Sequence, residues 1–250
     1  MKVSIVIPTY NEKENIPILV KRIAKALKNY DYEIIIVDDN SPDGTAEVAQ
    51  ELSEKYPIRV FVREKKLGLG TAVLYGFSKA QGDVFVVMDA DLQHPPEIIP
   101  KLLEKIKTAD IAIASRYVKG GQAKGLSGMR KVISHGARFL SYLFIPRTLK
   151  VKDPMSGFFA VKKEVVENVK MRGIGYKILV EILAKGKWKK VAEAPFVFEP
   201  RKYGASKLSK KEITNYLKQL LFVSWDTKTI IIPISICIGI IIAILLLLLW

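Results

Sequence analysis

The stretch Val3-Ser-Ile-Val-Ile-Pro-Thr-Tyr-Asn-Glu12 passes from a β-branched apolar run straight into a polar loop that ends on an acid. A short apolar run with little polar alternation is what a strand covered on both faces needs, and Val3–Ile7 reads as one. Beyond the loop the period changes. Ile16, Leu19, Val20, Ile23, Ala24 and Leu27 recur at helical spacing, with Asn15 placed to cap the helix and Pro17 in its first turn. The same unit then repeats. Glu33–Val37, Ile58–Val62, Val84–Met88 and Ile111–Ala114 read as further buried strands, and Thr45–Lys55, Thr71–Lys79 and Pro96–Lys107 as the helices between them. Strands alternating with helices imply right-handed crossovers and an α/β fold built on a doubly wound, mostly parallel sheet.

Ligands of such sheets bind at the carboxyl ends of the strands. That rule selects Pro8-Thr-Tyr-Asn-Glu12 after the first strand, Asp38-Asp-Asn-Ser-Pro-Asp-Gly44 after the second, and Asp89-Ala-Asp-Leu-Gln-His-Pro-Pro96 after the run Val84–Met88. The first loop lacks G-x-G-x-x-G, which counts against a dinucleotide-binding enzyme, and no G-x-x-x-x-G-K-[ST] is present to cradle a triphosphate. Gly68-Leu69-Gly70 reads as a turn leading into a helix. Two carboxylates as close as Asp89 and Asp91 repel each other and lose hydration together unless something positive lies between them. If the segment stays extended, both acids and Gln93 point the same way. Hard oxygen ligands of this kind suit Mg²⁺ or Mn²⁺ with positions left for phosphate oxygens.

The chain carries 40 Lys and Arg against 25 Asp and Glu, a net charge of +15. Phosphate-rich ligands, anionic lipid and nucleic acid are the usual partners of such charge. Residues 229–250 argue for lipid and against nucleic acid. From Ile230 onward the chain is almost wholly Ile and Leu without a charge, long enough as a helix to span a bilayer. Lys207, Lys210, Lys211, Lys218 and Lys228 precede it, so the positive-inside bias places the body in the cytoplasm on a single C-terminal transmembrane helix. Residues 116–152 hold nine Lys or Arg and no acid, interleaved with Val132, Ile133, Phe139, Leu140, Tyr142, Leu143, Phe144 and Ile145. This pattern predicts an amphipathic segment in the membrane surface, with 211–228 as a second such helix beside it. An ordinary amphipathic helix packed on the core is the other reading. The only cysteine, Cys237, lies in the apolar tail, so no internal disulfide forms.

Three blocks now carry a resemblance: Ile5-Val-Ile-Pro-Thr-Tyr-Asn-Glu12, Val37-Asp-Asp-Asn-Ser41 and Asp89–Pro96. They resemble the signature blocks of inverting nucleotide-sugar glycosyltransferases, and most of all the polyprenyl-phosphate glycosyltransferases of the dolichol-phosphate mannose synthase type. Ser115-Arg-Tyr, Asp153-Pro-Met-Ser-Gly-Phe-Phe159 and Arg201 with Gly204-Ala-Ser-Lys207 extend the match across a catalytic domain of residues 1–210. The resemblance implies transfer of mannose from GDP-mannose to dolichyl or another polyprenyl phosphate, with inversion. It implies that Pro8, Tyr10 and Glu12 line the nucleoside pocket, with Val37 and Asp39 near the base. Asp89 and Ala90 would touch ribose or diphosphate, and Asp91 and Gln93, with Asp89, would hold the metal. Arg116, Lys177, Arg201 and Lys207 would converge on phosphates and sugar, so the chemistry would rest on Asp89, Asp91, Arg116 and Arg201. Arg130 and Ser134 look like receivers of the lipid phosphate, and Asp153 reads as positioning an Arg or Lys.

The implied acceptor explains a missing residue type. A phosphate monoester has its second pKa near ~6 and is already a nucleophilic anion at neutral pH, so no catalytic His or Glu is needed as base. The rival within the class is a glucosyltransferase that uses UDP-glucose, since its acidic block is similar. The rival outside it is an inactive membrane tether, which predicts erosion at Asp89, Asp91 and Gln93.

Overall fold

The computed structural model describes residues 1–126, 128–200, 210–229 and Ile244. Seven strands form one sheet: β1 (Val3–Thr9), β2 (Tyr32–Asp38), β3 (Ile58–Val62), β4 (Val84–Val87), β5 (Ile111–Ser115), β6 (Phe159–Lys162) and β7 (Val191–Pro195), in the order β3-β2-β1-β4-β6-β5-β7. All five expected strands are present. Val3 pairs with Tyr32 and Val84, Ile34 with Ile58, all in parallel. The order reverses between β1 and β4, and that switch point opens the crevice in which such sheets bind ligands.

The sheet is not parallel throughout. β6 runs antiparallel to both neighbours, with Val87 opposite Phe159 and Ile113 opposite Phe159 from the other side. After β5 the chain crosses the carboxyl-end edge through α5 (Gly128–Phe144) and a 3₁₀ turn, Pro146–Lys150. It re-enters the sheet from that same edge, so the next strand has to run back. Three apolar residues and a lysine in β6 and the mixed pattern of β7 carry too little period to mark either segment as a strand.

Alternation along the strands divides the core. Val3, Ile5 and Ile7 face α1 (Ile16–Ala26), α2 (Thr45–Leu52) and α4 (Ile99–Ile106), where Leu19, Ile23, Ala49, Leu102 and Ile106 are buried. Val6, Ile35 and Val37 face α3 (Leu69–Lys79) on the other side, where Gly76 leaves room for Val6. Phe85, Val87 and Ile113 meet α7 (Ile178–Lys185), and the short α6 (Lys163–Val166) closes that face. Asn15 does not cap α1. Its backbone is already helical, and its side-chain amide instead donates to Glu12 Oε2 at 2.7 Å. The first turn is satisfied by Glu12 O, which accepts from Asn15 N and Ile16 N.

The last described helix, α8 (Lys210–Asp226), packs on α5 and α7. Tyr216, Leu220 and Val223 bury against Phe144, Ile145, Val180 and Ala184, and the Tyr216 hydroxyl donates to Ala137 O at 2.7 Å. α5 therefore divides its apolar residues. Phe144 faces this small core, while Val132 and Phe139 are 68% and 64% exposed, as is Trp225 of α8 at 68%. Among the described residues no helix is long and apolar enough to cross a membrane. The expected span, 229–250, lies outside the described residues except for Thr229 and Ile244.

Candidate active site

The loops selected from the sequence meet in one pocket of about 760 Å³. Because β3, β2, β1 and β4 are neighbours, residues after each of them line it in that spatial order. Lys66 follows β3, Asp39 follows β2, Pro8, Tyr10 and Glu12 follow β1, and Asp89, Ala90, Asp91 and Gln93 follow β4. Strands about 4.8 Å apart make that row roughly 14 Å long, the length of a nucleoside diphosphate. Arg116, Lys177, Arg130 and Ser134 complete the wall. The Val37 side chain is fully buried in the core under α3 and does not itself line the pocket. Arg201 and Lys207 lie outside the described residues.

At the β2–β3 end Asp39 works within the protein. Arg63 donates through Nε to its Oδ1 at 2.6 Å and pairs with it through Nη2, while Gly68 N donates to Oδ2 at 3.0 Å. Nη1 also donates to Thr71 Oγ1 and Nη2 to Gly68 O. Gly68, at φ 98°, thus starts α3 in a geometry that a side chain would strain, and Gly68-Leu69-Gly70 is the expected turn into a helix. The Lys66 ammonium stands 3.8 Å above the Tyr10 ring, a cation–π contact at the pocket wall.

The acidic stretch does not continue the strand. β4 ends at Val87 and Leu92 sits at φ 64°, so the simple alternation expected of Asp89, Asp91 and Gln93 is replaced by a turned loop. Asp91 Oδ1 accepts from Gln93 N at 3.1 Å, and Gln93 Nε2 donates to Glu199 O at 2.7 Å. With its amide nitrogen committed there, the carbonyl oxygen is the atom Gln93 would offer to a cation. No group of three His, Cys, Asp or Glu side chains suited to a metal occurs among the described residues. A hard cation here would draw on two carboxylates, one amide oxygen and the oxygens of its substrate, a set that Mg²⁺ and Mn²⁺ accept.

His94, unassigned from the sequence, is buried among Phe158, Phe196 and Phe198, stacked on the first at 5.3 Å between centroids. Its Nδ1 accepts from Asp89 N at 3.0 Å, which leaves the proton on Nε2. Burial pushes its pKa down to about 4 against the pull of Asp91. The ring 3.7 Å from the Asp89 carboxylate is therefore neutral and braces the loop. Gly157 keeps the other side open, since a Cβ there would stand 3.2 Å from the His94 ring and 3.3 Å from Asp89 Oδ2.

The cationic side is built on a buried ion pair. Asp153, fully buried, accepts from Arg116 N and Nε at 2.9 Å and from Nη2 at 2.8 Å. Burial works against the guanidinium charge, but the Asp153 carboxylate outweighs it and holds Arg116 protonated. Asp153 positions an arginine, as read from the sequence. Lys177 donates to Met155 O at 3.0 Å, and burial first, then Arg116, draws its pKa down to about 8. Ser134 lies 3.2 Å from the Tyr117 hydroxyl, which in turn carries the Arg138 guanidinium over its ring at 4.3 Å. Residues the sequence reading passed over also line the pocket: Lys66, Tyr176, Phe196, Phe198, Glu212 and Asn215. Lys66 was accessible to the strand-end rule, because it too follows a strand. The others come from segments without a motif.

Residues 4–170 match the family model described as glycosyl transferase family 2. The chain belongs to glycosyl transferase family 2. Within that family it is 56% identical over 228 residues to a dolichol-phosphate mannosyltransferase of Pyrococcus furiosus, covering 90% of this chain and 65% of that protein. It therefore spans less than two thirds of that relative's length. A yeast protein of the same name, from Saccharomyces cerevisiae, is 42% identical across 87% of this chain and 85% of its own. Among solved structures, glucosyl-3-phosphoglycerate synthase from Mycobacterium tuberculosis, in complex with Mn²⁺, UDP and glucosyl-3-phosphoglycerate, superposes with a TM-score of 0.66 at 20% identity. That match covers 90% of this chain and 79% of the other, and it concerns the fold. The mixed sheet and the β1/β4 crevice of this family 2 chain are thus a shared scaffold, and its chemistry has to be argued from the pocket.

Proposed function

We propose that this chain transfers mannose from GDP-mannose to dolichyl or another polyprenyl phosphate, with inversion at the anomeric carbon. One observation carries the reading. The three strand-end loops expected to hold a nucleotide sugar and the two residues expected to receive a lipid phosphate, Arg130 and Ser134, line a single pocket. The names of the Pyrococcus and yeast relatives support the sugar and the acceptor.

The donor lies along the strand ends with its base toward Asp39 and its diphosphate toward Asp89 and Asp91. Asp91, Gln93 and Asp89 would hold a divalent cation, which when bound would supply charge neutralisation for the departing diphosphate. Two anions must meet in this pocket, and Arg116, Lys177 and Arg130 offset their repulsion. The Asp153 fork fixes where the Arg116 charge sits, so that no side chain has to reorganise as the leaving group departs. The acceptor oxygen attacks the anomeric carbon in line and displaces GDP, giving a β-linked product from an α-linked donor. No base is required, and His94 is not one, because its lone pair on Nδ1 already accepts from Asp89 N. Apolar wall residues such as Ile133, Met155 and Phe198 exclude water, which would otherwise compete as nucleophile.

We further propose that residues 229–250 anchor the body to the bilayer with the pocket facing the cytoplasm. The acid-free segment around α5 and the exposed Val132, Phe139 and Trp225 support that placement. The test is to incubate the full chain in detergent with labelled GDP-mannose or UDP-glucose and a polyprenyl phosphate. Lipid-linked mannose is expected. Glucose transfer alone would replace the proposed donor, and no transfer from either would reject the reading.

A further inference from the structure

The pocket wall that carries Lys177 is a strap of backbone, residues 172–177, between α6 and α7. Gly173 and Gly175 line the pocket with φ of 63° and 73°. Gly70 at the start of α3 donates to Gly175 O at 3.1 Å. The strap lies against that turn backbone to backbone, and a Cβ on Gly70 would stand 2.8 Å from Gly175 O and overlap Gly173 O. A segment with two such glycines has much conformational freedom to lose and few side chains to hold it. It is held from outside instead.

Glu181 of α7, fully buried, accepts from Arg172 N at 2.8 Å and Gly173 N at 3.0 Å. Its charge is met by Lys185 Nζ at 2.9 Å, and Lys185 reaches on to Asp226 Oδ2 at 2.7 Å. Asp226 closes α8 and also takes the Arg172 guanidinium in a fork, at 3.0 Å from Nε and 2.8 Å from Nη2. About two turns earlier on the same helix, buried Gln219 donates to Lys177 O at 3.1 Å. Both ends of the strap are therefore tied to α8, although Asp226 does not line the pocket.

We propose that Asp226 is a positioning residue for Lys177: through Arg172 and Lys185 it holds the strap that carries the Lys177 ammonium into the pocket. The wiring is independent of the reaction. Assigning the anion that Lys177 meets to the sugar donor rests on the function proposed above. The same contacts could serve only to brace α7 against α8, and in that case Asp226 and Lys177 would act independently.

A double-mutant cycle separates the two. Asp226 is part exposed, so Asp226→Asn leaves the buried Glu181 in place. Wild type, Asp226→Asn, Lys177→Met and the double variant, each as the full chain in detergent, are titrated with GDP-mannose, and amide hydrogen exchange is followed without ligand. Asp226→Asn should speed exchange at Arg172 and Gly173 and weaken GDP-mannose binding by about tenfold, within the range for residues in one network. In the Lys177→Met background it should add less than about twofold, and Asp226→Glu should restore most of the loss. Unchanged exchange at 172–173, or losses that multiply in the double variant, would overturn the proposal. If wild type bound UDP-glucose and not GDP-mannose, the donor reading would fall and the cycle would be read with UDP-glucose. If it bound neither, the exchange at 172–173 would still decide the wiring.

Discussion

Replacing Asp153 by Asn tests the buried pair on which the cationic side of the pocket is built. The change keeps the volume of the side chain and removes its charge. Three donors converge on that carboxylate, two of them from a guanidinium whose side chain is only 8% exposed. An amide accepts through one oxygen only, so at least one donor of Arg116 is left facing an NH₂ group. A lysine in that position would shed its proton, but a guanidinium does not, and the burial cost has no relief by titration. Breaking one side of a buried pair costs about 3–5 kcal/mol, and the retained acceptor puts Asp153→Asn near ~3 kcal/mol. Solvent screening discounts little of this, because both side chains are buried. Urea unfolding should show the loss as a lower midpoint at unchanged slope. GDP-mannose binding should fall too, since an unpaired Arg116 turns toward Asp89 and Asp91. The double variant Arg116→Met with Asp153→Leu should be more stable than Asp153→Asn, and its binding should stay impaired. It should fall short of wild type by the ~1–3 kcal/mol of the Arg116 backbone N–H left without an acceptor. A single Asp153→Asn variant within ~0.5 kcal/mol of wild type would refute the argument, since a pair this buried has no other source of compensation.

Asp91→Ala should abolish transfer with the thermal midpoint nearly unchanged, and EDTA should do the same to wild type, read as lipid-linked mannose formed. Full activity in EDTA would remove the metal from the mechanism. Arg130→Lys should raise the KM for polyprenyl phosphate more than that for GDP-mannose, and Arg130→Ala more steeply still, because losing a charge-assisted hydrogen bond costs about 1.5–3 kcal/mol. A donor KM that moved alone would assign Arg130 to the nucleotide side. Burial lowers the Lys177 pKa to about 8, so its charge is present below that pH and lost above it. GDP-mannose affinity should accordingly fall as pH rises from 8 toward 10. The free fold should gain stability over the same range, since the unfolded chain then holds the extra proton, which separates weaker binding from unfolding. Lys177→Met should flatten that limb of a calorimetric pH series.

The sequence by itself determined the scaffold and most of the pocket's membership. Buried parallel strands are continuous apolar runs and their helices are periodic, so five strands and the helices between them were legible, and with them the edge at which loops converge. That edge brought Tyr10, Glu12, Asp39, Asp89, Asp91 and Gln93 together without any knowledge of distances. Tertiary structure decided what each of these residues has left to offer. Asp39 spends its oxygens on Arg63 and Gly68, Asn15 on nothing in the helix cap, and Val37 turns into the core because its place in β2 puts it on the α3 face. It also decided the direction of β6, the neutrality of His94 among three phenylalanines, and the tie between α8 and the strap. Those outcomes depend on contacts between residues far apart in the chain. Local periodicity records which face a residue takes, but hydrogen-bond partners and desolvation are set only when distant segments meet.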